Sequence, residues 1–144
     1  MLFIPPPLLC LLIGTAMHFL PKVASYSVHF AIIAFVIMLS FLIAGGSVFQ
    51  FFIRKTTINP HDFKHTTQLV STGIFRFSRN PMYLSLAGLL VAWALYLQSA
   101  VSFLGVFLFI YLITQWQIKP EEYWLEKKFG ESYLAYKKKV RRWI

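Results

Sequence analysis

Arg79-Asn80-Pro81 and Glu121-Glu122 are the residues of this chain that most need a chemical explanation. Arg79 stands in a short polar segment, residues 73–83, between long apolar runs. Such a guanidinium either snorkels to a membrane interface or holds a carboxylate or phosphate. Asn80 before Pro81 is a helix-start device, with Asn as N-cap and Pro in the first turn. A helix start also presents free N–H groups to a ligand. The acidic pair follows Pro120, and carboxylates at a helix start are favoured by the backbone dipole. Adjacent carboxylates nevertheless repel each other, and charge near a membrane is costly without a partner. A ligand bearing an ammonium group or hydroxyls would be such a partner.

Other polar residues point less far. His61 and His65 lie four apart with Asp62 between them, but two histidines without a third ligand do not make a metal site. Pro60 and Thr66-Thr67 suggest an irregular chain there. No metal is expected, and His61 reads better as a polar contact in a pocket. His18 and His29 lie within or beside apolar runs and read as buried, hydrogen-bonded groups. Cys10 is the single cysteine and sits in an apolar run. That excludes a disulfide framework, and a thiolate is disfavoured in hydrocarbon.

The elements that position these residues are apolar. The 144 residues are 58% hydrophobic and only 13% charged, with a mean hydropathy of +0.63. A soluble domain is about a quarter charged, so this is read as an integral membrane protein. The formal charge of +9 is unevenly placed. Every Lys and Arg except Lys22 lies at or beyond Arg54, in the blocks 54–79 and 119–142 that flank apolar runs. The positive-inside rule accounts for them, with anionic lipid contact as a second role. Nucleic-acid binding has no recognition motif to support it.

Four apolar runs are drawn, at residues 2–20, 28–53, 82–97 and 100–118. The first begins without a positive charge and is broken by Pro5-Pro6-Pro7, so it reads as a retained span rather than a cleaved signal. The third is short, and Gln98-Ser99 separates it from the fourth, which favours a tight helical hairpin. The expectation is one all-α domain over 1–144, a bundle of about four transmembrane helices. Two spans (1–53) precede a connector (54–81), a hairpin (82–118) and an amphipathic tail (119–144). Charge placement puts both termini, connector and tail in the cytoplasm, and Lys22 in an outer loop. The tail reads equally as a helix lying on headgroups or a lid over a site.

These residues, in this order, resemble the isoprenylcysteine carboxyl methyltransferase family and its bacterial membrane relatives, which are also similar to phospholipid N-methyltransferases. The shared elements are Leu69-Val70-Ser71-Thr72-Gly73-Ile74-Phe75, Arg79-Asn80-Pro81-Met82-Tyr83, Glu121-Glu122, and Phe129-Gly130-Glu131-Ser132-Tyr133-Leu134-Ala135-Tyr136. They span about residues 57–142. The resemblance implies a small helical membrane bundle that binds S-adenosylmethionine in a cytoplasmic-side pocket, in a bacterial inner membrane. It implies that Gln68, Leu69, Val70 and Phe75 line the cofactor site, that Asn80, Pro81 and Tyr83 continue it, and that Glu121, with Glu122, holds the cofactor's polar end. His61 falls near another family contact, and Arg79 is assigned to acceptor positioning.

Two departures bear on the acceptor. Asn80 stands where the family has histidine, so it can hydrogen-bond but not act as acid or base. Gln117 stands near a substrate-contacting arginine of the eukaryotic enzymes. The expected acceptor is lipophilic and reaches the site from the bilayer; it could be a prenylcysteine-like carboxylate, a lipid amine, or a small hydrophobic thiol or acid. Two other readings compete. One is an NADPH-dependent reductase related to sterol reductases, with Arg76 and Arg79 on the 2′-phosphate. The other is a non-enzymatic bundle in which the same charges are interface anchors.

Overall fold

The computed structural model describes residues 4–54 and 69–144. Among them the chain is helical. Helix α1, Pro6–His18, starts on the proline run, where missing N–H groups cost least. Helix α2 is Phe30–Arg54. A 3-10 turn, Gly73–Arg76, precedes α3, Pro81–Leu97. Gln98 ends α3 in the left-handed conformation, with φ 52°. A second 3-10 turn, Ala100–Ser102, leads into α4, Phe103–Ile113. A π turn, Thr114–Ile118, joins α4 to α5, Lys119–Phe129. Gly130, with φ +51°, separates α5 from α6, Glu131–Lys139.

The sequence suggested a helix start at Pro120. The structure corrects this, because Pro120 lies inside one continuous 30-residue helix, Ala100–Phe129. A proline removes a backbone donor and crowds the carbonyl four residues back, here that of Trp116. The π turn widens the helix where that clash would fall. The acidic pair therefore does not sit on a free helix N-terminus, and the dipole argument does not apply to it.

Among the described residues two helices are long and apolar enough to cross a membrane, Phe30–Ile53 and Ala100–Phe129. The other two apolar runs form the shorter helices α1 and α3, of 13 and 17 residues, against about 20 for a full span. The face of α2 away from the bundle is apolar, with Phe35, Phe41, Leu42, Phe49 and Phe52 exposed. That surface suits hydrocarbon, not water.

Small residues set the helix contacts, as expected where packing rather than hydrophobic burial drives association. A Cβ on Gly88 of α3 would strike the Ser40 hydroxyl of α2, and one on Gly105 of α4 would strike Met17 of α1. Gly46 lies 3.8 Å from Ile74 in the same measure, and Ser47 is fully buried. Gly45 faces open space. The bundle core gathers Met17, Leu90, Ala94, Phe109 and Ile113.

The connections sort to two ends. The α1–α2 linker meets the α3–α4 turn, where Tyr26 N donates to Gln98 O (3.3 Å) and Ala100 N to Ala24 O (3.4 Å). Lys22 belongs to this end. The opposite end collects residues 69–80, α5, α6 and residues 140–144 over a second cluster of Val70, Phe75, Tyr133, Tyr136 and Val140.

Candidate functional site

The second end is built on residues 69–80. Thr72 Oγ1 donates to Gln50 Oε1 of α2 at 3.0 Å. Gly73 follows with φ +60°, and a Cβ there would run into the Gln50 amide. This close approach needs glycine on both counts. It turns Phe75 inward, where its carbonyl accepts from the Tyr136 hydroxyl at 2.7 Å. Ser78 Oγ accepts from Asn80 N at 3.1 Å, closing a local turn ahead of Pro81. Asn80 occupies the N-cap position, but its side chain makes no capping bond. Its Nδ2 instead donates to Arg142 O at 3.0 Å, while Arg79 N donates to Arg141 O at 3.0 Å. Residues 141–142 thus clamp the Arg-Asn-Pro element.

The acidic pair divides. Successive helix positions are turned by about 100°, so Glu121 and Glu122 face different neighbours. Glu121 Oε1 accepts from the Tyr83 hydroxyl at 2.6 Å and from Gln117 Nε2 at 2.5 Å. Glu122 Oε1 accepts from Arg142 Nε at 3.0 Å, and Oε2 from Arg142 Nη2 at 2.7 Å. That is a bidentate grip, the strongest arrangement open to the two groups. Arg79 Nη2 adds a third contact to Glu122 Oε1 at 3.1 Å. The sequence argument left the partner of each carboxylate to a ligand, whereas the chain itself supplies both.

Glu122 and Arg79 are each only 8% exposed in their side chains, and Arg142 32%. Two guanidinium groups share one carboxylate, so the cluster carries excess positive charge. Arg79 Nε and Nη1 are buried and have no hydrogen-bond partner. Such orphaned donors are costly unless something accepts from them.

These groups border a cavity of about 80 Å³. Phe51, Leu69, Val70, Phe75 and Leu125 form its apolar wall, and Arg79, Asn80 and Glu122 its polar one. Tyr133 and Tyr136 complete it. Burial pushes the Tyr133 phenol up to about 12, with Glu122 raising it further and Arg79 and Arg142 opposing. Burial also raises the Tyr136 phenol, helped by Tyr133. Both phenols are neutral at physiological pH. The Glu122 hydrogen bonds hold Arg142 above its usual value.

Of the residues singled out in the sequence, Leu69, Val70, Phe75, Arg79, Asn80 and Glu122 are brought together at this cavity. Pro81, Tyr83 and Glu121 are not among its lining residues; Tyr83 and Glu121 pair with each other beside it. His61, His65 and Gln68 lie outside the described residues. Arg142 was not singled out, since nothing marks it within a run of tail cations. Tyr133 and Tyr136 appeared only as motif positions.

Comparison with known proteins gives the family. The model of the phospholipid methyltransferase family matches residues 9–132. The chain belongs to the phospholipid methyltransferase family. That match takes in most of α1, all of α2 to α5, both carboxylates and the Arg-Asn-Pro element. Two relatives from Haemophilus influenzae, both named as uncharacterized proteins, extend it without adding a function. One is 76% identical over 50 residues, covering 35% of this chain and 74% of the relative. The other is 54% identical over 63 residues, covering 44% of this chain and all of the relative. No solved structure matches the chain. A phospholipid methyltransferase family member with two helices of spanning length is a membrane protein with methyltransferase ancestry, as the resemblance had implied.

Proposed function

We propose that this protein transfers a methyl group from S-adenosylmethionine to a lipophilic acceptor at the end of the bundle where residues 69–80 meet α5 and α6. The observation that carries the reading is Arg79, whose Nε and Nη1 are buried without partners beside Glu122 at a cavity wall. A cation and a carboxylate side by side fit the carboxylate and ammonium of an amino acid, which is the polar end of this cofactor. A cavity of about 80 Å³ takes one end of a nucleoside-sized ligand, against ~300–1,000 Å³ for a whole ligand pocket. The orphaned Arg79 donors would hold the carboxylate, and Glu122 and Asn80 would face the ammonium. Phe75, Tyr133 and Tyr136 would give the apolar contact.

The cofactor supplies a methyl group on a sulfonium, which is already activated for displacement. The protein's part is to orient donor and acceptor in line and to keep water out. No general acid or base is required of Asn80. Charge placement supports a site on the cytoplasmic face of the membrane, with both termini on that side, and the family resemblance supports a bacterial inner membrane. Pro81, Tyr83 and the Glu121–Gln117 pair then stiffen the wall between cavity and bundle.

The test is calorimetric titration of the purified protein in nanodiscs with S-adenosylmethionine and, separately, with NADPH. We expect the first to saturate and the second not, and Glu122→Gln to weaken the first by at least tenfold. NADPH saturating alone would transfer the site to a reductase. Neither ligand binding would leave the bundle without this chemistry.

A further inference from the structure

A second concavity lies on the outer side of Tyr136. Its lining residues include Ser71, Arg76, Ser132, Ala135 and Lys139, and its volume is about 470 Å³. Tyr136 lines both this groove and the cavity at Arg79. Its hydroxyl is tied to Phe75 O, so the ring is a fixed partition.

The groove has a constructed origin. Ser132, Ala135, Tyr136 and Lys139 are spaced three, four and seven residues from the first, so they form one face of α6. Ala135 keeps the centre of that face low. The facing wall comes from the 3-10 turn, whose last residue is Arg76, and from Ser71 before it. Two cations, two serines and Tyr136 line it, and no carboxylate stands among its described lining residues. Glu126 pairs with Lys137, Glu122 is held by Arg79 and Arg142, and Glu131, next to Ser132 at the start of α6, is not among the lining residues.

We propose that Arg76, Lys139, Ser71 and Ser132 form a binding site for a phosphate group, as monoester or diester, separate from the cavity at Arg79 and Glu122. Guanidinium and ammonium groups supply charge, and serine hydroxyls supply the additional short donors that phosphate oxygens accept. The site is independent of the methyl-transfer reading and stands if that reading fails. Its ligand comes either from a lipid headgroup or from a soluble phosphate, and both present the same oxygens.

The experiment uses the full chain in a neutral detergent, with two probes. One is phosphatidylglycerol, with retention read by native mass spectrometry and diacylglycerol as the phosphate-free control. The other is inorganic phosphate, read by phosphorus NMR line broadening. We expect at least one probe to bind, and Arg76→Gln/Lys139→Gln to weaken it at least tenfold. Lys137→Gln/Lys138→Gln removes the same charge from α6 outside the groove and is expected to leave binding within twofold. Retention of the lipid alone assigns a headgroup; broadening of phosphate assigns a soluble source. Lys139→Arg, which keeps the charge, is expected to keep binding; if the double variant loses helical circular dichroism, Ser132→Ala decides, with an expected loss of about threefold. Absence of binding by either probe, equal diacylglycerol retention, or equal losses in the two double variants would overturn the site.

Discussion

Arg142 holds both carboxylate oxygens of Glu122, at 3.0 and 2.7 Å, from twenty residues further along the chain. Through the same residue's carbonyl, bonded to Asn80 Nδ2 at 3.0 Å, the tail is tied to the Arg-Asn-Pro element as well. One residue therefore joins α5, α3 and the last described segment. Arg79 reaches the same carboxylate from the other side.

Removing Glu122 leaves two buried or half-buried guanidinium groups facing each other. Breaking a buried ion pair in this way costs about 3–5 kcal/mol. Glu122→Ala is expected to lower the thermal midpoint in detergent clearly. Arg142→Ala should cost less, since Arg142 is 32% exposed and Arg79 still pairs with Glu122. Equal midpoints for Glu122→Ala and wild type would refute the cluster as a structural tie.

Much of this could be read in the sequence, and the limits are physical. Apolar runs located the helices, because the bilayer demands continuous apolar surface. Asn80-Pro81 marked the start of α3, since proline suits only the first turn. Pro120 misled for the same reason that Pro81 informed: proline signals a helix start unless the helix widens around it, and a π turn has no short signature. Glu121-Glu122 was legible as a site but not as two sites, because that depends on which way the widened helix faces. Arg142 was invisible, as its role depends on contacts with Glu122 and Asn80, 20 and 62 residues away.

Glu121 and Tyr83 should behave as a unit. The 2.6 Å bond between them is a short hydrogen bond shielded from water, worth about 0.5–1.5 kcal/mol. Tyr83→Phe and Glu121→Gln are each expected to destabilise, and the double variant by less than their sum. A double-mutant cycle in chemical unfolding measures this, with a coupling of about 0.5–3 kcal/mol expected for groups in contact. Strict additivity would mean that the pair contributes nothing jointly.

Tyr133 makes a pH prediction. Its folded value, pushed up to about 12, exceeds the ordinary value of about 10. Its contribution is thus fully present below pH 10 and is lost as pH rises through 12. Tyrosinate absorbance should show late-titrating phenols, fewer by one in Tyr133→Phe, where Tyr136 remains raised. Stability of that variant should fall less steeply between pH 10 and 12 than that of the wild type.

Two glycines in opposite settings should respond oppositely to alanine. Gly73 has φ +60° and meets Gln50, so Gly73→Ala strains the backbone by about 1–3 kcal/mol and displaces the turn carrying Phe75. Gly45, within α2, faces open space, so Gly45→Ala is expected to be neutral or to stabilise by about 0.5–1 kcal/mol. Midpoints in detergent decide; a harmless Gly73→Ala would contradict the close approach to Gln50.

Pro120→Ala tests whether the π turn serves the site or merely accommodates a proline. With the ring gone, the backbone regains a donor at position 120 and the crowding at Trp116 O disappears, so an ordinary α-helix becomes available through 114–118. Closing the π turn would rotate everything beyond it by about 100° relative to α4. Glu121 would leave Tyr83, and Glu122 would leave Arg79. The geometry holds only while those bonds outweigh the gain from a regular helix. The ion pairs and the Tyr83 bond together outweigh the ~3 kcal/mol that an interior proline costs. Pro120→Ala is therefore expected to keep the π turn and S-adenosylmethionine binding, with an unchanged or higher thermal midpoint. A fall in binding would mean that Pro120 itself holds the turn. Unchanged binding together with unchanged stability would show that Tyr83 and Arg79, rather than Pro120, hold the π turn in place. Adding Tyr83→Phe should then release it and bring the loss of binding.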